Sequence, residues 1–145
     1  MKQSIIVTVL LTIFTSYSYA KPTADINASI KSSFHQEFQN AQILSTESYQ
    51  TFTKLTFRMN DAVLSAFYAE NGELLALTRN ILSSQLPINL LTNLKKRFGN
   101  YWITDLFEFE RDGQSSYYVS IENADTKMTL RSTGEGWQLY SSVKK

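Results

Sequence analysis

Glu108 and Glu110 stand two residues apart in the run Tyr101 to Glu110, with Asp105 just upstream. Side chains alternate along an extended strand, so both glutamates point to one face. Two carboxylates so placed can serve as acid and base or hold a hard cation. A glycosidase pair, however, needs carboxyl groups facing each other about 5 to 9 Å apart across a cleft, and neighbours on one exposed face repel instead. The pair is therefore expected at a solvated strand surface. The single histidine, His35, lies between Phe34 and Phe38 in register with neither, which predicts a solvent-facing helix position and would leave carboxylates to supply every other metal ligand. The serines have no companion histidine and no Gly-x-Ser-x-Gly elbow. Asp112-Gly113 and Asn123-Ala124-Asp125 lack the twelve-residue calcium-loop pattern and read as turns, and no glycine loop is built for phosphate. No catalytic residue, cofactor site or metal site is predicted. An enzyme working through Glu108, Glu110 and Asp105 is the remaining catalytic alternative.

The other chemistry-bearing feature is aromatic. Phe, Tyr and Trp make up 13% of the chain. Strand parity sets Tyr101, Ile103, Asp105, Phe107 and Phe109 toward the core, with Trp102, Thr104, Leu106 and Glu108 on the other face. It likewise points Tyr117, Val119 and Ile121 inward and Tyr118 outward, with one of Trp137 or Tyr140 outward as well. Trp102, Tyr118 and Tyr140 are thus the candidate interaction surface, since exposed flat rings gathered on a sheet face bury area at low entropy cost. The alternative is that these rings pack under a helix or a neighbouring loop.

Those residues need elements to hold them. Ile26, Ile30, Phe34 and Phe38 recur every four residues, predicting an amphipathic helix over about residues 25 to 39, capped by Asp25 or Thr23. Beyond Gln42 the pattern alternates, through Tyr49 to Met59 and again from Val63 to Tyr68. Asn60-Asp61 breaks it, and Asn71-Gly72 is the strongest hairpin signal, with Glu73 to Thr78 returning. Pro87 opens a second helix bearing Leu90, Leu91, Leu94 and Phe98 on one side, with Gly99 as its C′ residue. Four strands follow: Tyr101 to Glu110, Ser116 to Glu122, Lys127 to Arg131 and Trp137 to Ser142. Phe38-Gln39-Asn40 matches Phe98-Gly99-Asn100 at a spacing of 60 residues. The expected architecture is α+β, two repeats of a helix plus an antiparallel meander over about residues 25–80 and 85–143. Their strands form one curved sheet with helices packed on it.

Lys2, the apolar run Ile5 to Phe14 and the exit Ser18-Tyr19-Ala20 read as a secretory leader cleaved after Ala20. This leaves residues 21–145 as one exported domain, periplasmic or secreted. Of the 14 basic residues one, Lys2, falls in the leader, so 13 basic residues face 13 acidic ones. That balance offers no electrostatic lure for nucleic acid, and the triplet Lys95-Lys96-Arg97 reads as a solvated helix face. With no cysteine, neither disulfides nor a lipid-bearing cysteine is available, and no further segment reaches membrane-spanning length.

Ala66-Phe67-Tyr68 with Asn71-Gly72-Glu73, Leu86-Pro87, Phe98-Gly99-Asn100-Tyr101 and Ser116-Tyr117-Tyr118-Val119 together make residues 43 to 143 resemble the exported bacterial PepSY-like domains, also described as β-lactamase-inhibitor-like. The resemblance implies helices on an antiparallel sheet and a role in binding an envelope protein or glycan. It brings no catalytic residue. The expected function is non-enzymatic binding through the open sheet face. The rival is an inhibitor of a secreted or periplasmic hydrolase that inserts a protruding hairpin such as Asn71-Gly72 into the target's cleft.

Overall fold

The structure is a computed structural model describing residues 25–145; the leader, its cleavage after Ala20 and the Thr23 cap lie outside the described residues. Helix α1 (Ala28–Glu37) is followed by strands β1 (Gln42–Ser48), β2 (Thr53–Met59), β3 (Ala62–Tyr68) and β4 (Leu74–Asn80). A short 3-10 turn (Ser83–Gln85) leads to helix α2 (Ile88–Phe98), then β5 (Trp102–Arg111), β6 (Gln114–Glu122), β7 (Thr126–Ser132) and β8 (Trp137–Lys144). The eight strands form one sheet in sequence order, each antiparallel to the next, with β1 and β8 at the edges. The chain is α+β.

Both helices lie on the same face. Ile30, Phe34 and Phe38 of the first helical segment bury against Leu55, Phe57, Ala66 and Tyr68. Phe57 meets Phe34 edge-on at 5.0 Å and Phe38 at 4.7 Å. On α2, Leu90 and Leu94 cover Leu106, Val119, Ile121, Leu130 and Trp137. Trp137 satisfies its indole by donating to the Leu90 carbonyl at 2.9 Å, and Arg97 returns a bond to the Trp137 carbonyl at 3.0 Å. Lys95, Lys96 and Arg97 occupy the last turn of α2, where cations favour the helix dipole.

Several local expectations are corrected. Asn27, not Asp25, caps α1: its Oδ1 accepts the Ser29 N–H at 2.8 Å. Gly99 follows α2 at φ −64° and stays right-handed, whereas Asn40 takes the left-handed exit after α1 at φ 68°. The tight hairpins with two left-handed residues are Asn60-Asp61 and Asp112-Gly113. At Asn71-Gly72 only Gly72 is left-handed, within the longer Ala69–Glu73 connection. The stretch from Tyr49 to Met59 is interrupted after β1 by a turn in which the Tyr49 N–H reaches the Phe52 carbonyl at 2.8 Å. No glycine or proline marks that turn; stacking of the two rings at 4.7 Å accompanies it.

The Asn71-Gly72 turn does not protrude. Asn27 Nδ2 donates to the Glu70 carbonyl at 3.0 Å, and a Cβ at Gly72 would sit 2.8 Å from the Ser29 carbonyl oxygen. The turn is a docking point for the start of α1, and a probe for insertion into a cleft must be sought elsewhere. Gly72→Ala should therefore cost about 2 kcal/mol or more, from left-handed strain plus the backbone clash. For a domain of this size, Tm should fall by roughly 6 to 12 °C. Gly113→Ala, where the added Cβ meets nothing within 4 Å, should cost only about 1 kcal/mol. Thermal denaturation of the two variants side by side checks this, and equal losses would mean the α1 contact contributes nothing.

Candidate functional site

Residues directly opposite in an antiparallel ladder share a face, so register assigns every strand residue. On the helix face, one row runs Leu64, Arg79, Glu108, Tyr117 and its neighbour runs Ala66, Leu77, Glu110, Ser115. Of these, Leu64, Leu77, Arg79, Glu108, Glu110 and Ser115 line a groove of about 270 Å³ where β4 meets β5. Glu108 is engaged there: Arg79 Nε donates to it at 2.7 Å and the Tyr117 hydroxyl at 3.4 Å. Asp105 points through the opposite face, paired in register with Ser120. The sheet itself separates Asp105 from the two glutamates, so the three carboxylates do not converge. His35 is exposed on α1, edge-on to Phe34. Among the described residues no group of three or more His, Cys, Asp or Glu is placed to hold a metal.

The open face carries three rows across β5 to β8. The first is Trp102, Glu122, Lys127, Val143; the second Asp105, Ser120, Thr129, Ser141; the third Phe107, Tyr118, Arg131, Gln138. Two bulges set this arrangement. One at Thr104 breaks the register between Ile103 and Asp105, so Trp102 shares a face with Asp105 and Phe107 while Ile103 joins Leu106 on the helix face. That overturns the simple parity placing Trp102 opposite Phe107. A second, between Thr129 and Leu130 of β7 and their β8 partners, leaves Tyr140 as the extra residue of β8, on the face of Gln138 two residues before it, and brings Ser141 to that same face opposite Thr129.

Tyr118 lies on the open face, as parity requires, but it is not exposed: its accessibility is 0%. It is sandwiched by rings, parallel to Phe107 at 5.2 Å and edge-on to Phe109 at 6.0 Å and Tyr140 at 5.7 Å. These residues, with Phe52, Phe67 and Ala76, form a third apolar cluster on the face the helices leave uncovered. The three candidate aromatics therefore separate. Tyr118 is a core residue, Tyr140 is half-buried above it, and Trp102 alone is well exposed, at 52%. Trp102 is nonetheless held: its indole donates to Glu122 Oε1 at 2.8 Å and Lys145 Nζ lies 5.4 Å from the ring centre. The Trp102 bond first, then the bond from Lys145 at 3.2 Å, hold the Glu122 carboxyl below the usual carboxylate range.

Sequence reasoning overlooked Arg131 and Lys127, whose signal was the alternation Lys127-x-Thr129-x-Arg131. The Arg131 guanidinium lies 5.8 Å from the Tyr118 ring centre. The Tyr118 phenol oxygen is buried with no hydrogen-bond partner. At the other end of this face the Tyr49 hydroxyl donates to Glu47 at 2.8 Å, and burial, then that bond, push its pKa up to about 12.

No family model and no curated protein matches this sequence. Crystal structures of Bacteroides proteins share the fold, among them the following three. A DUF2874 family protein of Bacteroides ovatus superposes with TM-score 0.74 at 14% identity, covering 84% of this chain and 89% of that one. A BLIP-like protein of Bacteroides fragilis gives 0.68 at 17% identity over 88% and 89%. A Bacteroides eggerthii protein described, by name alone, as periplasmic gives 0.71 at 11% identity over 88% and 90%. Identities this low establish a common fold, BLIP-like, and nothing finer.

Tyr118→Phe should leave stability within about 1 kcal/mol of the parent, because it deletes a hydroxyl that has no partner. Tyr118→Ala should lose about 3 to 5 kcal/mol through the cavity it opens. Urea unfolding separates the two, and a costly Tyr118→Phe would reveal a bond to that hydroxyl. Tyr49 favours the neutral phenol in the fold, so its stabilisation is complete below pH 10 and is lost as pH rises toward about 12. Tyr49→Phe should flatten that alkaline limb of the stability profile, measured by denaturation at stepped pH.

Proposed function

We propose that this protein is an exported, non-enzymatic binding module. Its contact surface is the open sheet face between Trp102 and Tyr140, and its partner is an envelope protein or glycan. The carrying observation is Trp102, a large ring left half in solvent yet fixed by Glu122 and Lys145. A ring already immobilised loses little freedom when a partner covers it, and aromatic anchors of this kind dominate interface energetics. The separation of Asp105 from Glu108 and Glu110 supports binding rather than catalysis. In this reading each helix with its four strands is one copy of a PepSY-like unit. Export rests on the leader of residues 1–20 and agrees with the described name of the B. eggerthii protein. Among the described residues no helix is long and apolar enough to cross a membrane.

A second reading, inhibition of a secreted or periplasmic hydrolase, draws on the likeness to the BLIP-like structure. It must use the open face or the exposed Asp112-Gly113 hairpin, because Asn71-Gly72 is docked against α1. Crosslinking of the tagged mature protein in its own envelope, beside the double variant Trp102→Ala, Tyr140→Ala, tests the main reading. The expected result is a partner captured by the parent and lost, by at least about tenfold, in a variant that still folds. Undiminished capture by the variant would remove the open face as the contact surface. A partner that proves to be a hydrolase slowed by the protein would favour the second reading.

A further inference from the structure

The open face holds cations and carboxylates in unequal states. Glu47 is bound by Lys54 at 3.0 Å, and Glu122 by Lys145 at 3.2 Å and by the Trp102 indole. Asp105 is half-buried, and Lys127, exposed and in register with Glu122, acts on the charge of both. Arg131 has no ion pair among the described residues. It is exposed, it lies over the Tyr118 ring, and the phenol beneath makes no hydrogen bond to it. The guanidinium is thus positioned by a buried ring while its donors remain uncommitted, the condition under which arginine recognises a carboxylate by two parallel bonds. Lys127 and Arg131 project from the same face of β7, four residues and about 13 Å apart.

We infer that the open face recognises a protein segment carrying two carboxylates about 13 Å apart, one bound by Arg131 near Tyr140 and the other by Lys127 in the row that carries Trp102. This rests on the open face being the contact surface. The occupant is a protein segment rather than a uniformly anionic polymer or bilayer because Glu47, Asp105 and Glu122 lie on the same face and would repel continuous negative charge. An extended peptide with glutamates at positions i and i+4 spans the required distance and leaves Asp105, in the row between Lys127 and Arg131, opposite neutral residues.

The test uses the mature chain and a displayed library of random peptides, followed by titration of selected synthetic peptides with backbone amide NMR mapping. The expected outcome is selection of peptides with Asp or Glu at positions i and i+4 and neutral residues between them, with shifts centred on Lys127, Arg131 and Tyr140. Arg131→Gln should weaken them by about tenfold or more, and Arg131→Lys by less, since the charge is kept while the fork is lost. An unchanged fold in both variants is verified from the same spectra. Peptides that map to the open face without acidic enrichment, or that ignore Arg131→Gln, overturn this inference and leave the contact surface standing. Peptides that map to Lys95, Lys96 and Arg97 on α2 overturn both. Selection of no peptide, or Arg131-dependent binding of heparin or phosphatidylglycerol vesicles in preference to every peptide, overturns the choice of a protein segment.

Discussion

Two helices cover one face of an eight-stranded sheet, and the alternate residues of every strand face the other way. A sheet buried on one side only reads as a clean alternation of apolar and polar positions. This chain departs from that in β5, where Leu106, Phe107 and Phe109 are all buried although they fall on different faces. The face without helices is closed by rings, with Phe52, Phe67, Phe107, Phe109 and Tyr118 packed against one another and fringed by Tyr49 and Tyr140. Much of the aromatic content serves this second layer.

The hairpins and bulges follow from the same two-sided demand. Tight left-handed turns at Asn60-Asp61 and Asp112-Gly113 fix the registers of β2 with β3 and of β5 with β6. The bulges at Thr104 and at the β7–β8 ladder then change which side chains share a face. Without the first, Trp102 would lie on the helix face; the second brings Ser141 to the open face beside Tyr140, which alternation from Gln138 already places there. The first thereby places an aromatic on the surface proposed for binding, an arrangement in keeping with the way bulges re-aim side chains near functional positions.

Much of the fold was legible from spacing. The four-residue recurrence of Ile30, Phe34 and Phe38 and the pattern of Leu90, Leu94 and Phe98 identify both helices and their apolar sides, because a stripe of that period can be buried only as a helix. The strands after α2 were legible from turn residues. The turn between Tyr49 and Phe52 was not, since it carries no residue that forces a bend. The exposure of Tyr118 was misjudged for a different reason: Phe107 and Tyr140, which cover it, come from other strands, and nothing near Tyr118 in sequence announces them.

The sequence by itself determined the helices, most of the strands and which chemistry is available, because period, capping and residue type are local properties. Without cysteine and with a single histidine, the side chains left for recognition are carboxylates, cations, hydroxyls and rings. Only the tertiary structure decided which of them meet. Strand pairing, slipped by the bulge at Thr104, put Trp102 on the face of Asp105 and Phe107, sank Tyr118 beneath its neighbours and set Arg131 above it. The physical reason is that a one-residue slip in register reverses a side chain's face, and register belongs to the pair of strands rather than to either one.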